Sequence, residues 1–228
     1  MIRAILLDAA GTLILPSEPV ADVYARHFAA AGWPVEAGRL SGAFRSAFED
    51  AGDPPYPDFP EGDLAERAWW RTVVVATARH AGVEMRGDLL EQCYTGLFEH
   101  YASGDAWTVF PEVRPQLARW RAGGFRLAVV SNFDRRLHRI LDELGLAPFF
   151  DSIVCSADAR ARKPAPTIFR HALERLDVSP AEAVHLGDCP VADGGGAAGL
   201  EIAGFVLKRP GITLLDADRW LAEEFCSK

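Results

Sequence analysis

Four short apolar segments, each followed by polar residues, constrain the fold of this chain more than any other feature of its sequence. They are residues 4–7, 127–130, 152–155 and 184–187. Apolar runs of this length, without alternation of polar residues, are typical of strands buried on both faces of a parallel sheet. Stretches with helical periodicity lie between the later apolar segments. The sequence therefore predicts an α/β fold built on a parallel sheet.

The polar residues follow the segments at comparable positions. Asp8 follows the first segment, Ser131 and Asn132 follow the second, Lys163 comes after the third, and Asp188 follows the fourth. Open α/β sheets bind ligands beyond the carboxyl ends of their strands. Each residue taken alone also fits a structural role as a cap, a turn residue or a solvated loop charge. Their occurrence at four successive strand ends favours a common site.

The residue types indicate what such a site can do. Asp8, with Gly11 allowing a tight turn after it, is a candidate covalent nucleophile. Ser131 and Asn132 can hydrogen-bond phosphoryl oxygens, and Lys163 can balance their charge.

Together these segments resemble the four motifs of the haloacid dehalogenase-like hydrolase superfamily, and the resemblance covers essentially the whole chain. Residues 125–137 and the pair Trp69-Trp70 are most similar to its branch named haloacid dehalogenase-like hydrolase domain-containing protein 3. The matching motif residues are Asp8 with Gly11-Thr12, Ser131-Asn132, Lys163-Pro164, and Gly187-Asp188 with Asp193.

The resemblance implies a Rossmann-like parallel sheet core with an all-helical cap domain inserted after the first strand. Residues 1–15 and 107–228 would form the α/β core, and residues 16–106 would form the cap. The periodicity of residues 20–31, 40–48, 64–81 and 89–101 predicts four helices in that insert, and the proline-rich segment 54–60 predicts a loop. Trp69 and Trp70 are expected to pack in the cap core or at its surface toward the sheet domain.

The resemblance also implies a Mg²⁺ cofactor and an aspartyl-phosphate mechanism. Asp8, Asp188 and the backbone carbonyl of Ala10 would be the protein ligands of an octahedral Mg²⁺. Asp193 would lie behind them, holding a metal-bound water or orienting Lys163, with a helix N-cap as the alternative. Thr12 would orient the phosphoryl group or Asp8.

Position 10 departs from the family pattern. Phosphatases of this superfamily have a second Asp there, which protonates the leaving oxygen and later activates water. General acid–base help is typically worth ~10²–10⁴ in rate, so a phosphatase with Ala10 is expected to be slow on ordinary phosphoesters. A second departure is the glycine-rich segment 193–200, which is two residues shorter than the usual run.

Two alternatives stay open at this stage. A 2-haloacid dehalogenase needs no acid for a halide leaving group, and Arg45 aligns with the cap arginine that holds the substrate carboxylate in those enzymes. Asp188 argues against that interpretation, because the dehalogenases have neutral side chains there. The other alternative, supported by Ala10, is a non-catalytic protein that uses the phosphate and metal pocket for binding.

The composition of the chain limits the classes of partner that it is expected to bind. The formal net charge of −8 gives no electrostatic reason to bind nucleic acid or an anionic membrane, which leaves a small-molecule phosphoester as the expected partner. The four cysteines are widely spaced, without the paired spacing of zinc or dithiol motifs, so a reducing cytoplasmic location is expected.

Overall fold

The chain divides into two compact units in the computed structural model, which describes residues 1–54 and 61–226. The first, the α/β unit, comprises Met1–Leu15 and Thr108–Lys228, and the second, the helical unit, comprises Pro16–Trp107. These boundaries lie within one residue of those expected from the sequence. Most of the predicted loop 54–60 lies outside the described residues.

Five parallel strands form the central sheet of the α/β unit, in the order β5-β4-β1-β6-β7. The predicted parallel α/β fold is thereby confirmed. Two short strands, β2 and β3, pair separately and were not anticipated from the sequence. The strands are β1 (Ala4–Leu7), β2 (Ile14–Pro16), β3 (Trp107–Val109), β4 (Arg126–Ser131), β5 (Ser152–Cys155), β6 (Ala183–Gly187) and β7 (Ala203–Val206).

The strand order reverses at β1, which lies at the centre of the sheet. The chain adds β4 and β5 on one side of β1 and then places β6 and β7 on the other side. Leu7 pairs with Val129 on one neighbour and with Leu186 on the other, so the residues after all three strands emerge at the same edge. Such a reversal opens a crevice beyond the strand ends, where ligands bind in folds of this class.

The described part of the helical unit contains four α-helices, as its periodicity predicted. They are α1 (Val20–Ala30), α2 (Ala37–Asp50), α3 (Glu61–His80) and α4 (Gly87–His100). Their apolar faces form a core of their own that includes Tyr24, Phe28, Leu40 and Leu97. Trp69 and Trp70 are half-buried within this unit, and the rings of both contact Phe48.

The α/β unit adds helices on both sides of the sheet. They are α5 (Val113–Ala122), α6 (Arg136–Glu143), α7 (Ser156–Ala159), α8 (Pro166–Leu176), α9 (Gly196–Ala198) and α10 (Leu214–Leu221). On one face, Leu6, Val130 and Val154 of the strands pack with Ile168 and Phe169 of α8. Burial of such side chains is worth about 1.5–3 kcal/mol each before conformational entropy is subtracted. No described helix has the length and apolar character that a membrane span requires.

A carboxylate joins two of these helices. Asp218 on α10 accepts hydrogen bonds from the Nε1 of Trp120 at 2.8 Å and the Nε2 of Gln116 at 3.0 Å, both on α5. Trp120 and Gln116 are buried. The two donors would therefore lose their partner without gaining full access to water if this carboxylate were removed.

We expect Asp218→Ala to lower the free energy of unfolding by about 1–3 kcal/mol, because it leaves these two donors without a hydrogen-bond acceptor. Urea unfolding measures the difference. The control is Glu174→Ala, at an exposed position on α8, which should stay within about 0.5 kcal/mol of the parent. Equal unfolding midpoints for the two variants would contradict the assignment.

Candidate active site

Three carboxylates converge at the crevice edge of the sheet. Asp8 directly follows β1, Asp188 directly follows β6, and Asp193 lies in a π-helical turn, Pro190–Gly195. One oxygen from each lies within 4.8 Å of the others. The structure thus brings together residues from motifs that are far apart in the sequence.

Lys163 lies between two of these carboxylates. Its Nζ is 2.7 Å from Oδ1 of Asp8 and 2.6 Å from Oδ1 of Asp193, and its side chain is almost completely buried. Burial of the ammonium acts to lower the pKa of Lys163, but the charges of Asp8 and Asp193 outweigh it and raise the pKa above its ordinary value. Lys163 is therefore a permanent cation held against the candidate nucleophile.

Both carboxylate oxygens of Asp193 accept hydrogen bonds from neighbouring groups. Its Oδ1 also accepts from Nε2 of His185 at 2.9 Å, and its Oδ2 accepts from the backbone N–H of Cys189 at 2.9 Å. Burial would raise the pKa of Asp193, but the His185 hydrogen bond and the Lys163 charge lower it below its ordinary range. Of the two roles expected for Asp193, these contacts match the orientation of Lys163. The N-cap alternative is not observed, because the N-cap of α9 is Gly195.

His185 completes this group, and the sequence analysis did not single it out. Its ring is fully buried inside β6 and lies edge-on to Phe169 at 5.0 Å. Burial lowers the pKa of His185, so we assign a neutral ring that donates from Nε2 to Asp193. Its Nδ1 has no hydrogen-bond partner among the described residues, as expected for the unprotonated nitrogen. A histidine inside an apolar strand requires a polar partner, and that was the available signal.

Asn132 contacts the backbone of Lys163 through both ends of its side-chain amide. Its Oδ1 accepts from the backbone N–H of Lys163 at 2.6 Å, and its Nδ2 donates to the Lys163 carbonyl at 2.9 Å. The side-chain amide therefore fixes the backbone that carries the ammonium, and its contact with phosphoryl oxygens stays a prediction. Ser131 is buried at the end of β4, next to this clamp.

Asp188 is the carboxylate that reaches solvent, and the turn after Asp8 makes room for it. Desolvation by its surroundings, followed by the charges of Asp8 and Asp193, raises the pKa of Asp188 to about 6. Gly11 has a φ of +87°, and a Cβ built there would lie 2.3 Å from Oδ2 of Asp188. Only glycine allows both this backbone conformation and this approach.

The charge balance of the cluster favours a divalent cation. Three carboxylates face one ammonium here, while His185 is neutral. The atoms that remain able to bind a metal on the solvent side are carboxylate oxygens, which are the ligands that Mg²⁺ prefers. The residues present therefore fit a magnesium ion, with Asp8 and Asp188 as the side chains able to hold it.

The remaining residues of the first motif are placed as follows. Thr12 is completely buried, and its Oγ1 makes no hydrogen bond to any described residue, Asp8 included. Ala10 is half-buried and forms an isolated bridge with Ile14. Its methyl group offers no proton at this position.

Arg209, after β7, supports the same turn and gave no signal in the sequence. Its guanidinium donates to the carbonyls of Gly11, at 3.2 Å, and Thr12. It also pairs with Glu112 at 2.7 Å and stacks over Phe110 at 3.5 Å from the ring centroid. These contacts fix the backbone of the turn that follows Asp8.

Arg45, the predicted substrate-binding residue, is exposed on α2 of the helical unit. It forms no ion pair with any residue that the structure describes. Its contact with a substrate stays a prediction.

Comparison with known proteins identifies the family. Residues 2–200 match the family model described as a haloacid dehalogenase-like hydrolase. The haloacid dehalogenase-like hydrolase domain-containing protein 3 of Mus musculus is 37% identical over 206 residues, which cover 90% of this chain and 81% of that protein. This chain belongs to the haloacid dehalogenase-like hydrolases. Both the family and the branch suggested by the motifs are confirmed.

Solved structures of the family share the fold and differ in their chemistry. A structure described as a HAD phosphatase from Thermococcus onnurineus superposes with a TM-score of 0.68 at 24% identity, covering 96% of this chain and 98% of its own. A 2-haloacid dehalogenase from Pseudomonas syringae pv. Tomato superposes with a TM-score of 0.62 at 27% identity, covering 91% and 86%. The fold alone therefore does not choose between phosphoester and haloacid substrates.

The tight approach of Asp193 to β6 gives a test of the site. A Cβ on Gly187 would lie 2.1 Å from Cγ of Asp193, so Gly187→Ala must displace this carboxylate from Lys163 and His185. We expect a loss of stability of about 1–3 kcal/mol, typical of overpacking, measured by urea unfolding. Gly204→Ala on β7 is the matched control, because its Cβ would meet its nearest atom at 3.6 Å. A Gly187→Ala protein as stable as this control would contradict the close contact between Asp193 and the end of β6.

Proposed function

We propose that this hydrolase is a Mg²⁺-dependent phosphohydrolase that acts through an aspartyl-phosphate on a small phosphoester, and that Ala10 makes it slow on unactivated substrates. The observation that carries the proposal is the cluster of Asp8, Asp188 and Asp193 around the single ammonium of Lys163. Such an excess of carboxylate suits a divalent cation and, through it, an anionic phosphoryl group.

In the proposed reaction, a carboxylate oxygen of Asp8 attacks phosphorus in line as the bond from phosphorus to the leaving oxygen breaks. Lys163 neutralises part of the charge on the phosphoryl oxygens and on Asp8. Asp193, His185 and Asn132 do not touch the reacting atoms in this scheme, since they hold Lys163 in place. Water then hydrolyses the acyl-phosphate, releasing phosphate and restoring the Asp8 carboxylate.

Magnesium held by Asp8, Asp188 and the Ala10 carbonyl would supply Lewis-acid stabilisation of the phosphoryl charge. The Ala10 carbonyl remains available whatever side chain stands at this position. Thr12 fits the proposal because its buried, unpartnered hydroxyl offers a donor close to Asp8 in sequence.

Ala10 determines which substrates the site should prefer. The leaving oxygen must take its proton from solvent, because the side chain at position 10 has none to give. Aryl and acyl phosphates have leaving groups that are stable without protonation, so they should react faster than alkyl phosphates.

The structural neighbours include several dehalogenases, which supports the rival dehalogenase hypothesis, but Asp188 opposes it. Without a cation, an ionised Asp188 beside Asp8 would repel the charge on the nucleophile. The pKa of Asp188 is raised first by desolvation and then by the charges of Asp8 and Asp193. A non-catalytic role would keep the same pocket and use it for binding alone, with Ala10 as its support.

We further propose that the helical unit is the cap of this enzyme and that Arg45 contributes to substrate binding from it. The basis is the position of the unit in the chain, between β2 and β3, together with the alignment of Arg45. The expected partner is a small phosphoester, with no role for nucleic acid or a membrane, and a cytoplasmic location stays part of the proposal.

A substrate panel assayed with Mg²⁺ and with chelator tests the proposed activity. We expect turnover of aryl or acyl phosphates only with Mg²⁺, and its loss to background in Asp8→Asn, which keeps the shape but not the attacking charge. Asp177→Asn is the control, because Asp177 is exposed at a left-handed position that Asn also tolerates. Haloacid turnover in chelator would establish the dehalogenase hypothesis, and activity unchanged in Asp8→Asn would exclude the covalent step.

The missing acid gives a second test. Ala10→Asp should raise the rate on alkyl phosphates about tenfold or more, within the ~10²–10⁴ available to acid–base catalysis, and raise it less on aryl phosphates. Ala10→Asn is the matched control, since it has nearly the same size but cannot exchange the proton. An Ala10→Asp enzyme that folds and binds Mg²⁺ without this substrate-dependent gain would favour the binding role.

A further inference from the structure

A second group of metal-ligating side chains lies on the edge strand of the sheet, outside the candidate active site. Oδ2 of Asp158, on α7, is 2.9 Å from Nε2 of His138 on α6 and 3.0 Å from Sγ of Cys155 at the end of β5. The three donor atoms all lie within 4.8 Å of one another. We propose that His138, Cys155 and Asp158 bind one thiophilic divalent cation of the zinc class.

The donor types select this class of cation. An imidazole nitrogen, a thiolate and a carboxylate are the ligands of zinc and related transition metals, whereas Mg²⁺ favours oxygen alone. The site is therefore chemically different from the cluster of Asp8, Asp188 and Asp193.

The distances require only a small adjustment. With bonds of ~2.0–2.3 Å, the ligand atoms of a tetrahedral zinc lie ~3.3–3.5 Å apart. The two contacts of Asp158 Oδ2 would thus lengthen by about 0.5 Å when the cation replaces the shared protons. Cys155 binds the cation as a thiolate, so its proton is released to solvent when the cation binds.

The surroundings of the three side chains suit a metal site. Nε of Arg135 donates to the other carboxylate oxygen of Asp158 at 2.8 Å, which fixes the carboxylate and leaves Oδ2 for the cation. Cys155 is fully buried, while the His138 side chain is 43% exposed. The cation can therefore enter from the His138 side, where water would complete the coordination.

The position of the site suggests what the cation does. Cys155 pairs with Ser131 across β5 and β4, so the site lies one strand away from the second catalytic motif. A cation held by α6, β5 and α7 would add a further link between elements that the hydrogen bonds of Asp158 already join. Because it would bind the folded chain, it should raise the unfolding temperature as its concentration exceeds Kd.

Titration of the full chain with Co²⁺ tests the proposal. Bound metals are first stripped from the protein with a chelator, the chelator is removed, and Mg²⁺ is then kept in excess. Co²⁺ serves as the zinc-class probe because its bond to a thiolate gives a near-ultraviolet charge-transfer absorption that an all-oxygen site cannot give. We expect this absorption to saturate at one equivalent and to disappear when Zn²⁺ is added. The parent protein should also unfold at a higher temperature with Zn²⁺ than without it.

Single substitutions test whether the cobalt–thiolate absorption arises from the proposed site. Cys155→Ser should abolish the absorption, whereas Cys93→Ser, which removes another buried thiol, should retain it. His138→Gln changes a partly exposed side chain, so it keeps the fold and should weaken Co²⁺ binding by about tenfold or more. Absence of the absorption in the folded parent, its survival in Cys155→Ser, or unchanged affinity in His138→Gln would each overturn the proposal.

Discussion

The buried ion pair network around Lys163 is the interaction on which the rest of the site depends. Asp8 and Asp193 hold its ammonium from two sides, and the side chains of Lys163 and Asp193 are almost completely buried. Removing one partner from a buried pair typically costs about 3–5 kcal/mol, because the remaining charge is left without compensation. His185, Asn132 and the Cys189 amide are therefore needed to define a single geometry for these charges. The same network that positions Lys163 for an anionic substrate also joins β1, β4 and β6 at their carboxyl ends.

The sheet explains why residues so far apart in sequence can share this network. Parallel strands bring their carboxyl ends to one edge, and the reversal of strand order at β1 places Asp8 between the second and fourth motifs. Glycine at positions 11 and 187 then allows carboxylates to approach the backbone where any other side chain would collide. The positions of Asp188 and Asp193 are thus set by the backbone at this edge as well as by neighbouring side chains.

The parts of the structure that could be predicted from the sequence are those encoded locally. The apolar run 4–7 predicted β1 residue for residue, and helical spacing predicted α1 to α4 to within a few residues. Motif order predicted that Asp8, Lys163, Asp188 and Asp193 would meet. Contacts that depend on three-dimensional packing were not predictable: the Asn132 clamp on the Lys163 backbone, the buried His185 and the Arg209 contact with the turn after Asp8. Their partners lie 8 to 198 residues away, where no periodicity signals an approach.

In the phosphatases that the first motif resembles, the nucleophile and the general acid are two residues apart, whereas this chain has Asp8 but Ala10. Asp8, the Lys163 ammonium and the other carboxylates lie together, as the proposed stabilisation of phosphoryl charge requires. Only proton transfer to the leaving oxygen lacks a donor. Electrostatic stabilisation is generally the larger contribution to catalysis, while acid–base help contributes ~10²–10⁴. Loss of the acid therefore need not abolish turnover, but it shifts the site toward substrates whose leaving groups need no proton. In the proposed mechanism, the rate is thus limited by departure of the leaving group rather than by attack at phosphorus.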